Sequence, residues 1–132
     1  MNSFQGIGNL LFYFGVALGF EAVFIALYMA VTPHHEAALI KQGNSAAAIS
    51  LGGAVLGFTL PLASVITHSV SLLDMAVWNA VALLVQLVVY LLVNLLLRGI
   101  SRRIEEGNIA AATTLAVASL AIGIINAASM TY

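Results

Sequence analysis

Ile40-Lys41-Gln42-Gly43-Asn44-Ser45-Ala46-Ala47-Ala48 returns sixty-four positions later as Ile104-Glu105-Glu106-Gly107-Asn108-Ile109-Ala110-Ala111-Ala112. Each copy is a short polar turn that opens a long apolar run. In each, a glycine able to stop one helix precedes an asparagine able to cap the next. The spacing predicts one two-helix unit written twice, with both polar turns on the same face of the membrane. The units span about residues 10–67 and 75–130 of a single membrane domain covering 1–132.

Composition sets the solvent. The chain has 132 residues, 62% hydrophobic and 7% charged, and its mean hydropathy is +1.09. A soluble domain carries about 25% charged residues, so this chain cannot cover itself for water and is expected to lie in lipid. Four runs exceed the roughly 18 apolar residues that a crossing needs. They are Leu10–Val31, Ala46–Thr67, Met75–Leu97 and Ile109–Met130. Membrane strands are shorter and alternate, so these are helices. The expected fold is all-α and integral to the membrane, with four transmembrane helices in two helical-hairpin repeats. Each repeat has an even number of spans, so both enter the membrane in the same direction, a parallel topology.

The connecting stretches are read in order. Residues 1–9 are polar and rich in glycine and read as a lead-in at the interface. No Lys or Arg precedes Lys41, so the first run is expected to stay as a span and not to act as a secretory signal. Thr32-Pro33 reads as a helix start, opening a short surface helix over Pro33–Gln42. Arg98–Glu106 fills the same place in the second unit, and Ser69–Asp74 links the middle spans. Thr131-Tyr132 follows the last run directly, so no soluble domain is expected there. The four basic residues, Lys41, Arg98, Arg102 and Arg103, all lie in the two repeated loops. Basic loops stay cytoplasmic, which puts both termini outside.

Polar residues inside the spans are the candidates for function. Asn79, Gln86, Tyr90 and Asn94 fall within roughly 80° of one another on a helix. Such a stripe avoids lipid. It either lines a polar path or hydrogen-bonds neighbouring helices. Glu21 is the one charged residue within a span, and it aligns with Gln86 when one loop residue is dropped. It is an ion or proton site, or else a neutral acid donating to a neighbour such as Gln86 or Asn79.

Small residues mark close packing. Gly15 and Gly19 form one GxxxG, pointing away from Glu21; Gly53 and Gly57 form another. Ser119 and Gly123 continue the theme in the last span. Pro61 is expected to kink its helix.

Other chemistries find little support. Cysteine is absent, which excludes disulfides and thiolate sites. His34-His35-Glu36 offers adjacent imidazoles that point about 100° apart with no third nitrogen nearby. It reads as an exposed helix start near the headgroups. Net charge is −1 with no basic stripe, so no nucleic acid partner is expected. No nucleophile elbow, phosphate loop or HExxH motif occurs. No enzymatic activity, cofactor or metal is expected.

The Gly-Asn-x-Ala-Ala-Ala turns, Gly57-Phe-Thr-Leu-Pro-Leu-Ala-Ser64 and Gly123-Ile-Ile-Asn-Ala-Ala-Ser-Met130 carry a resemblance over nearly the whole chain. They look like the YjfL-like small inner-membrane proteins of bacteria, the domain-of-unknown-function 350 family. The resemblance implies a four-span inner-membrane protein, and, from the company such proteins keep, a role in envelope or membrane stress. It implies no catalytic residues. In plan alone the chain is also similar to small multidrug-resistance transporters, which have four short spans and a glutamate in the first. The complete charge bias of the loops argues here for one fixed orientation.

Two functional readings follow. One is a parallel homo-oligomer in the bilayer whose basic loops, Lys41 with Arg98, Arg102 and Arg103, dock a peripheral membrane-stress protein. The other is a small channel or proton-coupled transporter using Glu21 and the Asn79, Gln86, Tyr90 and Asn94 stripe.

Overall fold

The computed structural model describes residues 2–130. Six helices follow in chain order: α1 (Ser3–Val31), α2 (Glu36–Lys41), α3 (Ser45–His68), α4 (Leu72–Leu96), α5 (Ile100–Glu105) and α6 (Ile109–Ser129). The four longer ones are long and apolar enough to cross a membrane. Among the described residues there is no strand.

The two turns behave as their residues dictate. Gly43 and Gly107 hold φ of 87° and 82°, where a side chain would be strained. The carboxamide of Asn44 accepts from Ala47 N at 3.0 Å, and that of Asn108 from Ala111 N at 3.1 Å. Asn44 also donates from Nδ2 to the Ile104 and Glu105 carbonyls, at 3.0 and 3.2 Å. The two turns therefore touch at one end of the bundle.

Three local expectations are corrected. α1 begins at Ser3, not Leu10, because Asn2 and Gln5 form a capping box. Residues 3–9 are thus helix and not a lead-in. Thr32 ends α1 and starts no helix; α2 begins only at Glu36. Thr32 is extended, as a residue before proline is driven to be. The link between α3 and α4 is shorter than expected, because Ser71 Oγ accepts from Asp74 N at 3.1 Å and starts α4 at Leu72.

The core is α3 against α6, with α4 laid across both. A carbon added to Gly53 would lie 2.4 Å from Ala116 Cα, and one on Gly57 2.4 Å from the Ser119 carbonyl oxygen. One on Gly123 would lie 2.2 Å from the Gly57 oxygen. Gly53, Gly57, Ser119 and Gly123 all lie in this one seam. Pro61 explains part of it. It lies inside α3 and has no N–H for the carbonyl four residues back, which is that of Gly57. The freed oxygen faces the Cα of Gly123, a Cα–H···O arrangement that glycine alone can approach.

α1 is built differently. It is 29 residues long, against 21 for α6, and only Phe24 and Tyr28 are buried. Phe24 stacks on Phe58 with centroids 4.6 Å apart, and Tyr28 meets Tyr90 edge-on at 6.0 Å. Gly15 and Gly19 have open space around them. The first half of α1 stands off the core and leaves a groove against α3, lined by Asn9, Tyr13, Ala17 and Ile66.

Candidate functional site

Two polar clusters lie off the α3–α6 seam. The first is Glu21, half-buried on α1, beside an apolar pocket lined by Ala17, Leu62 and Ile66. Its partner is Thr59 on α3, not Gln86 or Asn79. Thr59 Oγ1 lies 2.8 Å from Glu21 Oε2 and 2.7 Å from the Val55 carbonyl oxygen. A hydroxyl has one hydrogen. Serving both contacts takes a second, which a proton on Glu21 would supply. Glu21 Oε1 is buried with no partner.

The stripe on α4 points into the bundle. Gln86 Nε2 donates to the Ser119 carbonyl at 3.1 Å, at the level of the glycine seam. The Tyr90 hydroxyl bonds Ser101 Oγ on α5. Asn79 is fully buried with both amide atoms unpartnered, and Asn94 is half-buried. Gln86 and Tyr90 thus stitch α4 to α6 and α5.

The second cluster was missed in the sequence. Thr32, His34 and Glu36 are buried while Pro33 and His35 between them are exposed. An extended link alternates its side chains in this way, so His34 and Glu36 turn inward and are not an exposed helix start. The signal was Pro33, which forces the extended geometry on Thr32. The Thr32 hydroxyl donates to Glu36 Oε1. His34 Nε2 lies 3.1 Å from the same oxygen, though not in hydrogen-bond geometry. The His34 ring meets Tyr90 edge-on at 6.4 Å. Burial pushes the Glu36 carboxyl up to about 7, against the Thr32 hydrogen bond, which lowers it. Burial lowers His34, and the charge of Glu105 partly offsets that. Among the described residues no three His, Cys, Asp or Glu side chains converge to hold a metal ion.

The basic residues Lys41, Arg98, Arg102 and Arg103 are all exposed near the two turns. Arg102 Nε reaches Glu106 Oε1 at 3.3 Å in an open pair, which adds little stability.

Comparison with known proteins gives a family. The family model described as Domain of Unknown Function (DUF350) matches residues 1–130. The chain is 38% identical over 120 residues to the UPF0719 inner membrane protein YjfL of Escherichia coli K12, covering 91% of each chain. The protein of the same name from Escherichia coli O157:H7 matches to the same extent. No solved structure matches. The chain belongs to the DUF350 family.

Proposed function

We propose that this DUF350 family member is a non-enzymatic inner-membrane component of an envelope-stress system. It works as a parallel homo-oligomer with its two turns and both basic loops in the cytoplasm and both termini outside. The relatives are named as inner-membrane proteins, and the basic residues cluster at one end of the bundle. A duplicated helical hairpin accounts for the recurrence of long helix, six-residue helix, positive-φ glycine and asparagine cap in both halves.

The observation that carries this reading is the state of α1. Of its 29 residues only Phe24 and Tyr28 are buried, and Gly15 and Gly19 meet nothing within the chain. A GxxxG face free of its own bundle fits a second copy's helix. Lys41, Arg98 and Arg103 are exposed and available to an acidic partner surface.

The chain has no cysteine, so single cysteines placed along α1 can report self-association by crosslinking in native membranes. Crosslinks that recur every three to four residues on the Gly15/Gly19 face are expected. A flat profile would remove the oligomer. For the stress role, Arg98, Arg102 and Arg103 replaced together by Ala should fail to restore a stress-reporter response in a deletion strain, and Glu21→Gln should restore it.

One observation favours the alternative of a small channel or proton-coupled transporter. Glu21 Oε1 is buried and unpartnered beside the α1–α3 groove. Proton flux into liposomes that is lost in Glu21→Gln and kept in the arginine variant would select that reading instead.

A further inference from the structure

Four buried polar atoms without hydrogen-bond partners meet where the α1–α2 link folds under the bundle. They are Tyr28 Oη, both ring nitrogens of His34 and Glu36 Oε2. Thr32 and Tyr90 close the same space. His34 and Glu36 have no exposed surface at all. Lys41 and the three arginines are all exposed, so no fixed positive charge is buried with the carboxyl. A lone buried charge is costly, so the group is at ease only when its members are neutral.

The surroundings are accounted for element by element. α1 brings Tyr28, α4 brings Tyr90, and α5 brings Glu105, whose charge is felt by His34. His35 lies beside them in the link and is exposed. α3 packs against α2 but brings no titratable group; its one such residue, His68, is at the far end. Glu36 is thus the acid whose ionisation the pocket resists, and neutral His34 is the nearest base.

We propose that Glu36 and His34, enclosed by Tyr28, Thr32 and Tyr90, form a proton-binding site that latches α2 to the bundle. The ligand is a proton on the Glu36 carboxyl. Its loss leaves a carboxylate facing a neutral imidazole and two phenols. α2 and α5 both have six residues, but α2 buries only Glu36 where α5 buries Ile100, Ser101 and Ile104, so α2 gives way first. The site does not depend on the docking reading, since it concerns this chain alone.

The sign follows from linkage. Glu36 titrates higher in the folded chain than its ordinary 4.5, at about 7. Its contribution to the closed latch is complete below the ordinary value and is lost as pH rises to about 7. His34 is lowered, so protonating it opposes closure on the acid side. The latch is tightest in mild acid.

The test uses the whole chain in lipid nanodiscs, with pH stepped roughly two units either side of neutrality. Infrared difference spectra should show a protonated-carboxyl band that disappears across the step. Glu36→Gln should abolish that change and Glu21→Gln should not. Hydrogen exchange, corrected for intrinsic rates, should show protection of the α2 amides falling about tenfold or more across the same step. Glu36→Gln should hold protection constant. A fall that persists in Glu36→Gln, or no fall in the unaltered chain, overturns the latch. If Glu36→Gln does not fold, Thr32→Val decides. It removes the hydrogen bond that favours the carboxylate and should move the midpoint upward; an unmoved or lowered midpoint overturns the proposal.

Discussion

α3 and α1 carry the same spacing of glycines and use it in opposite ways. Gly53 and Gly57 lie against Ala116 and Ser119 so closely that one added carbon would sit 2.4 Å from a backbone atom. Gly15 and Gly19 meet nothing. The difference lies in what surrounds the motif. Pro61 frees the Gly57 carbonyl, Gly123 presents a bare Cα to it, and Gln86 binds the neighbouring Ser119 carbonyl at 3.1 Å. α1 has no such complement within the chain. A small-residue pair permits close approach; the partner's shape decides whether it happens.

The largest effect should come from Gly57→Ala or Gly123→Ala. The nearest atom in each case is a backbone carbonyl oxygen, of Ser119 or of Gly57, so α3 and α6 must separate. A loss of about 3 kcal/mol is expected, read as earlier unfolding when sodium dodecyl sulfate is titrated into micelles. A neutral result would break the contrast at its strong end. Next come the helix starts. Asn44→Ala removes a cap and two bonds to the Ile104 and Glu105 carbonyls, for about 1–2 kcal/mol. Asn2→Ala removes only a local box at an exposed end and should leave the global midpoint unmoved while exchange rises over the first turn. Equal effects would mean that α1 is as firmly held as α3. Gln86→Leu should cost about 0.6 kcal/mol, the usual worth of one such contact in a membrane. Smallest of all, Gly15→Ala and Gly19→Ala should shift unfolding of the isolated chain by less than about 0.5 kcal/mol. In native membranes the same changes should weaken α1 crosslinking, which would sharpen the difference between an internal seam and an external one.

Much of this was readable in advance, and the limits have physical causes. The four apolar runs identify the long helices, because lipid leaves a backbone few ways to satisfy itself. The Gly43-Asn44 and Gly107-Asn108 pairs give the turns, because stop and cap are local chemistry. The start of α1 was hidden by its own polar residues: Asn2 and Gln5 looked like loop but are a cap. Thr32-Pro33 has the composition of a helix start and serves instead as a helix end and an extended link. Glu21 finds Thr59 through the way α1 crosses α3, which no spacing along α1 encodes. His34 and Glu36 look solvent-facing by type, and their burial comes from Tyr28 and Tyr90 closing over them.

The unequal helix lengths have a mechanical consequence. At about 1.5 Å per residue, α1 is about 43 Å long and α6 about 31 Å. A bilayer's hydrocarbon layer is about 30 Å thick. α6 matches it standing upright. α1 must lean, or carry its first two turns into the headgroups, and its lean is set by thickness because its first half is not packed on the core. A bilayer that thins tips α1 further, and one that thickens draws it upright. Phe24 and Tyr28 hold the second half of α1 to the bundle, so the mismatch with the bilayer falls on its first half.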